Sequence, residues 1–328
     1  MLAIGVSIVP LMTLNNHFQF GYNGQPFNFR ERTEDRFWVK YGRCERQPLS
    51  FHQECLEAAR RIAENTKEPI WVLFSGGVDS EVTLQSFVQA KIPVQVAILR
   101  FKNDLNIHDI SYAVIACHQL NVPYRIFDLD LLSFWQNEAF TYAKRVGCSR
   151  PRLLSTMWLM DQIEGYPVIG GGECHLIKEL PSDYVSGGSP YPTTDWHMSE
   201  KEYVASWYRH LILTQRDGCA GFFQYTPEII LSYLLEDDIV DLTSNRKEGK
   251  LSTKSSKLPI YQKYFSVQSR PKFTGFERAA EPEKVIRQRL LEICPEGEGV
   301  VKTPYKDLVN LLSPSVNKGE AIEFGAGV

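Results

Sequence analysis

The chain lacks the features that mark several large function classes. Its seven cysteines, at 44, 55, 117, 148, 174, 219 and 294, form no Cys-x-x-Cys pair, which excludes a zinc knuckle. Their odd number argues against a disulfide framework and suits reduced thiols, so a cytoplasmic location is expected. Charge of one sign is not in excess: a net charge of −3 gives no global basic field, so nonspecific nucleic-acid binding is not indicated. No apolar run approaches the length needed to span a bilayer, so no membrane partner is expected. Met1 to Leu14 is apolar but short and without a basic leader, and reads as a buried strand. No internal repeat or low-complexity tract stands out. A Gly-x-x-x-x-Gly-Lys-Ser/Thr loop is absent, which disfavours nucleotide hydrolysis of the Walker type. What remains is a globular chain of 328 residues, room for one large domain with additions or for two domains.

The most informative segment is Ser75-Gly76-Gly77-Val78-Asp79-Ser80. It follows the apolar run Ile70-Trp71-Val72-Leu73-Phe74 and leads directly into the helical pattern from Glu81 to Val88. At such a strand-to-helix turn, two glycines let backbone amides converge on an anion. Ser75 and Ser80 add hydroxyl donors, and the helix start adds unpaired amides and the positive end of its dipole. An aspartate in that nest would repel phosphate unless it held a divalent cation bridging carboxylate and phosphate oxygens, which is the role expected of Asp79.

Around this turn the pattern alternates as in α/β folds. A capping box at Ser50-Phe51-His52-Gln53 opens a helix. Strand 70–74, helix 80–90, strand 94–99, a helix from Asn106 to about Leu120, strand 123–128, helical material at 131–145, helix 153–164 and strand 166–169 follow. The expected fold class is α/β, a doubly wound and mainly parallel sheet whose ligands sit beyond the carboxyl ends of the strands. Residues 1–48 read as a small β appendage with a hairpin turn at Tyr22-Asn23-Gly24. Residues 49–180 form the nucleotide-binding domain, and 181–328 a mainly helical C-terminal region. That region has helices at 199–214, 226–236, 258–265, 282–293 and 304–312, a polar loop at 245–257 and a fraying tail from Phe324.

At 75–80 the chain resembles the PP-loop ATP pyrophosphatases, whose Ser-Gly-Gly-x-Asp-Ser signature it matches at all six positions. These proteins cleave ATP between the α and β phosphates and share the adenine nucleotide alpha hydrolase-like fold. Within the group the chain looks most like the synthetase domain of asparagine synthetase. The resemblance implies that ATP and Mg2+ bind across Ser75, Gly76, Gly77, Val78, Asp79 and Ser80, with adenine held by the backbone of the second parallel strand, here Ile98, Leu99 and Arg100. It further implies an AMP-forming ligase: a substrate carboxylate or amide-type oxygen attacks the α phosphate, and a nitrogen nucleophile then displaces AMP. The glutamine-hydrolysing domain of asparagine synthetase is not expected here, since the space ahead of the nucleotide-binding domain is only about fifty residues, far short of a typical domain. Ammonia, if used, is expected from a separate donor protein.

Gly170-Gly171-Gly172-Glu173-Cys174-His175 follows a buried strand and is similar to the glycine-rich acidic loop of asparagine synthetase, although Cys174 and His175 stand where further acids would be. Gly171 and Gly172 are thus candidate nucleotide contacts. Glu173 is a candidate second metal ligand, against the plainer reading of a tight strand exit. It does not fit Gly-x-Gly-x-x-Gly, which needs glycine at 175. Charge that develops on pyrophosphate calls for cations. Lys178 and Lys254 are the leading candidates, with Lys250 and Lys257, then Arg270 and Lys272, in reserve. A solvated surface loop accounts for the run at 245–257 as well as a lysine-bearing lid does. Arg100, Lys102, Asn103, Asp104 and His108 either approach the adenosine or are solvated polar groups, with Asn106 as a helix cap. Two alternatives stay open: a sulfurtransferase acting on a nucleobase, with Cys174 as sulfur carrier and a sulfur donor as partner, and a nonenzymatic nucleotide-binding or assembly protein.

Overall fold

The computed structural model describes residues 17–32, 34–178, 195–244, 251–294, 299–314 and 323–325. The strand expected at Met1–Leu14 and the boundary at 181 lie outside these residues.

The chain enters through β1 (Phe18–Tyr22), β2 (Gln25–Pro26) and β3 (Phe37–Tyr41). Asn23 and Gly24 both take positive φ, 51° and 74°, the conformation a two-residue hairpin turn requires. Phe18, Phe20 and Tyr22 bury the inner face of this antiparallel sheet. Helix α1 (Phe51–Asn65) starts at the expected capping box, with Ser50 and Gln53 satisfying each other's backbone amides.

The main sheet follows: β4 (Ile70–Leu73), α2 (Val78–Gln89), β5 (Gln95–Phe101), α3 (Ile107–Gln119), β6 (Tyr124–Leu129), α4 (Leu131–Asn137), α5 (Ala139–Val146), α6 (Pro151–Gln162) and β7 (Tyr166–Ile169). Its four strands are all parallel, in the order β6-β5-β4-β7. Val72, Val96, Ala97, Ile98 and Val168 are fully buried, as central strands covered on both faces must be. The chain steps outward from β4 to β5 to β6, then returns to the other side of β4 as β7. The order therefore reverses between β4 and β7, and the crevice beyond their carboxyl ends is where such a sheet takes its ligand.

A third sheet adds β8 (Leu176–Lys178), β9 (His197–Lys201), β10 (Leu251–Ser252) and β11 (Val300–Pro304), with α7 (Ser206–Leu213), α8 (Pro227–Leu234), α9 (Asp237–Ser244), α10 (Lys257–Tyr264), α11 (Ala280–Ile293) and α12 (Tyr305–Leu312) around it. Four expectations are corrected here. The helix at 199–214 begins only at Ser206, because 197–201 pairs with β11 and long-range pairing overrides the helical preference of Glu200 and Lys201. The loop at 245–257 is shorter than expected. Leu251–Ser252 pairs with β8 and Lys257 already opens α10, while 245–250 lie outside the described residues. The tail does not fray throughout: β12 (Glu323–Gly325) pairs with β3 and satisfies its open edge. Asn106 stands at the start of α3 but does not cap it. Its side chain bonds Phe101 N–H and Leu99 C=O, locking the end of β5.

One hydrophobic core runs from Phe18 through the parallel sheet to Leu312. Among the described residues no helix is long and apolar enough to cross a membrane. Inside the core Glu200 accepts hydrogen bonds at one carboxylate oxygen from Tyr41 Oη at 2.6 Å and Gln224 Nε2 at 2.8 Å. Burial pushes its carboxyl up to about 7, against the pull of the Tyr41 bond, and the Glu173 charge adds to the rise. A carboxyl raised from 4.5 in this way is held protonated by the fold, so its contribution to stability is full below 4.5 and is lost as pH climbs through 7. Glu200→Gln, which keeps the accepting oxygen, is expected to stabilise the protein at pH 8 by up to about 3 kcal/mol and to have little effect near pH 4. Chemical denaturation at the two pH values checks this, and an equal gain at both would contradict it.

Candidate active site

Beyond β4, Phe74 N–H still bonds Ala97 C=O, so the chain leaves the sheet at Ser75. Gly76 has φ +80°, and a Cβ there would lie 2.2 Å from the carbonyl oxygen of Asp109, so only glycine fits. Gly77 begins α2 and has no side chain to cap it. The two hydroxyls organise the turn instead. Ser75 Oγ accepts from Gly77 N–H at 3.3 Å and lies 3.1 Å from Ser80 Oγ, which donates to Gly77 C=O at 2.9 Å. The first-turn amides of Val78, Asp79 and Ser80 thus face the crevice at an uncapped helix start, the arrangement that binds anions.

The exit of β7 meets this turn. A Cβ on Gly170 would sit 2.7 Å from Ser80 Cα, which explains the small residue there. Gly172, at φ +81°, abuts the side chain of Gln224, and Gly171 abuts the ring of Trp207. This double contact brings Glu173 to Asp79. Between the two carboxylates lies Lys257, at the head of α10. Its Nζ is 2.7 Å from Asp79 Oδ1, 2.9 Å from Oδ2 and 3.3 Å from Glu173 Oε1. One turn on, Tyr261 Oη donates to Asp79 Oδ1 at 3.0 Å. Burial raises the Glu173 carboxyl, Asp79 raises it further, and Lys257 opposes both. Burial would lower the Lys257 ammonium, but the two carboxylates outweigh it and hold the ammonium above its ordinary range.

Two cavities open over the turn. One, about 230 Å³, is lined by Leu73, Phe74, Leu99, Phe101, Asn106 and Arg152 among others, at the ends of β4 and β5. The other, about 300 Å³, is lined by Asp79, Leu153, Gly171, Gly172, Glu173 and Tyr203 among others. Ser75, Ser80, Gly170, Trp207 and Lys272 border both. Lys272 is carried by a strap, residues 266–275, tied down at three points. Ser266 N–H bonds Gln85, Arg270 pairs with Glu81, and Phe273 N–H bonds the buried carboxylate of Asp109 at 3.0 Å.

The sequence-expected residues fall in distinct places. Ser75, Gly77, Asp79, Ser80, Gly171, Gly172 and Glu173 line one cavity, whereas Gly76 lies against the Asp109 backbone and Val78 packs against the core. Leu99 lines the cavity at the ends of β4 and β5, whereas Ile98 is buried within the sheet and Arg100 turns to Asp128 at 2.6 and 2.8 Å. Lys178 lies on β8 and Lys254 is exposed on the turn before α10, and neither lines either cavity. The cations at the site are Lys257, on Asp79 and Glu173, with Lys272 and Arg152 at the cavities; sequence reasoning held the two lysines in reserve. The spacing of Lys257 and Tyr261, four residues apart on one helical face, is the signal that could have singled out the first. Trp207 and Arg152 were missed, since nothing local in the sequence sets them apart, and Asn106 was read only as a helix cap. Cys174 is buried, its Sγ 3.2 Å from Met198 Sδ, and burial pushes its thiol well above the ordinary range. His175 engages Ser252 Oγ at 2.5 Å.

No protein-family model matches the chain, and no curated protein does. Among solved structures, an NMN synthetase from Francisella tularensis is similar at 13% identity, over 74% of this chain and 94% of that one, with a TM-score of 0.31. An NH3-dependent NAD synthetase from Campylobacter jejuni, in complex with the nitrate ion, is similar at 13% identity over 74% and 92%, with a TM-score of 0.29. Likeness of that order leaves the chemistry to this chain's own residues.

Gly76→Ala forces an alanine into left-handed backbone against the Asp109 carbonyl, and is expected to cost about 1–3 kcal/mol of stability and to weaken anion binding at the turn at least about tenfold. Gly77→Ala, whose Cβ would meet only Ser75 Oγ at 3.4 Å, is expected to be far milder. Thermal unfolding and titration with ATP compare the two, and equal effects would contradict the role given to Gly76.

Proposed function

We propose that the protein is an ATP-dependent, AMP-forming ligase of the PP-loop class, nearest in kind to the synthetase domain of asparagine synthetase. The observation that carries this reading is the meeting of an uncapped helix start, two glycines and two carboxylates at the reversal point of a parallel sheet. The donor set fits Mg2+. Asp79 and Glu173 offer hard carboxylate oxygens that already converge on one cation position, and they would hold the ion there. Bound Mg2+ would neutralise phosphate oxygens.

The chain's own groups account for the remaining requirements. The amides of Val78 to Ser80 and the hydroxyls of Ser75 and Ser80 would hold the phosphates. The cavity at the ends of β4 and β5 would take the adenosine against Leu99 and Phe101, and the one lined by Asp79 and Glu173, beyond the phosphates, would take the acceptor. An acceptor carboxylate or amide oxygen forms a bond to the α phosphorus as the bond to the β phosphate breaks, and the electron pair leaves with pyrophosphate. Lys272, bordering both cavities, would stabilise the charge that builds up there. The adenylate then loses AMP to a nitrogen nucleophile. Nitrogen is favoured over sulfur because Cys174 points into the core against Met198 rather than toward the acceptor. All seven cysteines are free thiols, which suits a cytoplasmic enzyme.

Incubation with ATP, Mg2+ and a metabolite extract is expected to yield AMP, pyrophosphate and a mass shift in one metabolite. Asp79→Asn is expected to slow AMP formation by about a hundredfold or more. ADP as product, or an unaffected Asp79→Asn enzyme, would overturn the reading.

A further inference from the structure

The position that suits a divalent ion is held by part of the protein. Lys257 Nζ contacts both oxygens of Asp79 and one of Glu173, and its side chain is only 14% exposed. An ammonium 2.7–3.3 Å from these oxygens and an ion bound to them at about 2.1 Å would claim the same space. Both cannot occupy it. Without some cation, two partly buried carboxylates would face each other unneutralised, which is costly. Phosphate oxygens arriving at the α2 amides would offer the ammonium a new partner beside its present one. Tyr261 would remain on Asp79 throughout, keeping that carboxylate aimed at the crevice.

We propose that Lys257 is a placeholder cation. It neutralises Asp79 and Glu173 in the nucleotide-free protein and yields them to the divalent ion only when nucleotide phosphates are present to receive its ammonium. This rests on the ATP-and-metal reading of the site and adds an order of assembly to it. Metal and nucleotide bind together, each strengthening the other by the same factor, and free metal is excluded. The exchange is one of charge and position alone, with no covalent bond made or broken.

Mn2+ serves as the probe, its binding followed by calorimetry and by the loss of the free-ion electron paramagnetic resonance signal. The nucleotide-free wild type is expected to bind Mn2+ weakly, and a methylene analogue of ATP that cannot be cleaved between the α and β phosphates is expected to tighten binding at least about tenfold. Lys257→Met, without nucleotide, is expected to bind Mn2+ at least about tenfold more tightly than wild type, and adding Asp79→Asn to it is expected to abolish the gain. If Lys257→Met folds only with metal, recovery of its far-ultraviolet circular dichroism in excess Mn2+ supports the placeholder. No recovery counts against it. If the analogue brings Mn2+ to the wild type but Lys257→Met binds the ion no better than wild type, the placeholder fails and the ligase reading stands. If the analogue brings no Mn2+ to the wild type, the ligase reading fails, and the placeholder with it.

Discussion

Asp79 and Glu173 stand at the carboxyl ends of neighbouring strands, carry like charge, and are held together by one ammonium. The rest of the site follows from that constraint. The β4 turn must be tight enough to put Asp79 in the first turn of α2, which demands glycine at 76. The β7 exit must lie against the same helix, which demands a small residue at 170. Lys257 must come from a distant part of the chain, so α10 is packed over the turn, with Tyr261 buried in the main core. Sequence-distant elements are thus committed to one point by charge neutralisation at a place where water is scarce.

The N-terminal sheet belongs to this arrangement through the core. Tyr41 on β3 and Gln224 share one oxygen of Glu200, and the Gln224 side chain presses on Gly172 in the ligand loop. Tyr208 adds a bond to Gln224, and His17 donates to its carbonyl. A buried polar network of this kind ties the position of the β7 exit to strands laid down more than a hundred residues earlier. The β appendage therefore backs the loop that carries Glu173.

Much of this was legible in the chain. The parallel strands were continuous apolar runs, as fully covered strands are, and the turn at 75–80 combined residues whose only shared rationale is an anion at a helix start. What escaped was set by contacts across long separations. The end of β9 reads as helix because Glu200 and Lys201 favour one, and only pairing with β8 and with β11, a hundred residues on, makes it a strand. Lys257 and Lys272 look like any other lysines until α10 and the strap place them over the crevice. Asn106 reads as a cap because it has the right type in the right place, yet its side chain serves the end of β5. Cys174 sits beside the glycine-rich loop in sequence, but its thiol is buried against Met198.

A crystal structure with Mg2+ and a non-cleavable ATP analogue tests the account most directly. The account predicts phosphate oxygens on the amides of Val78 to Ser80, the ion between Asp79 and Glu173, and adenine beside Leu99. Phosphates bound elsewhere, with the turn at 75–80 making no contact to the nucleotide, would contradict it.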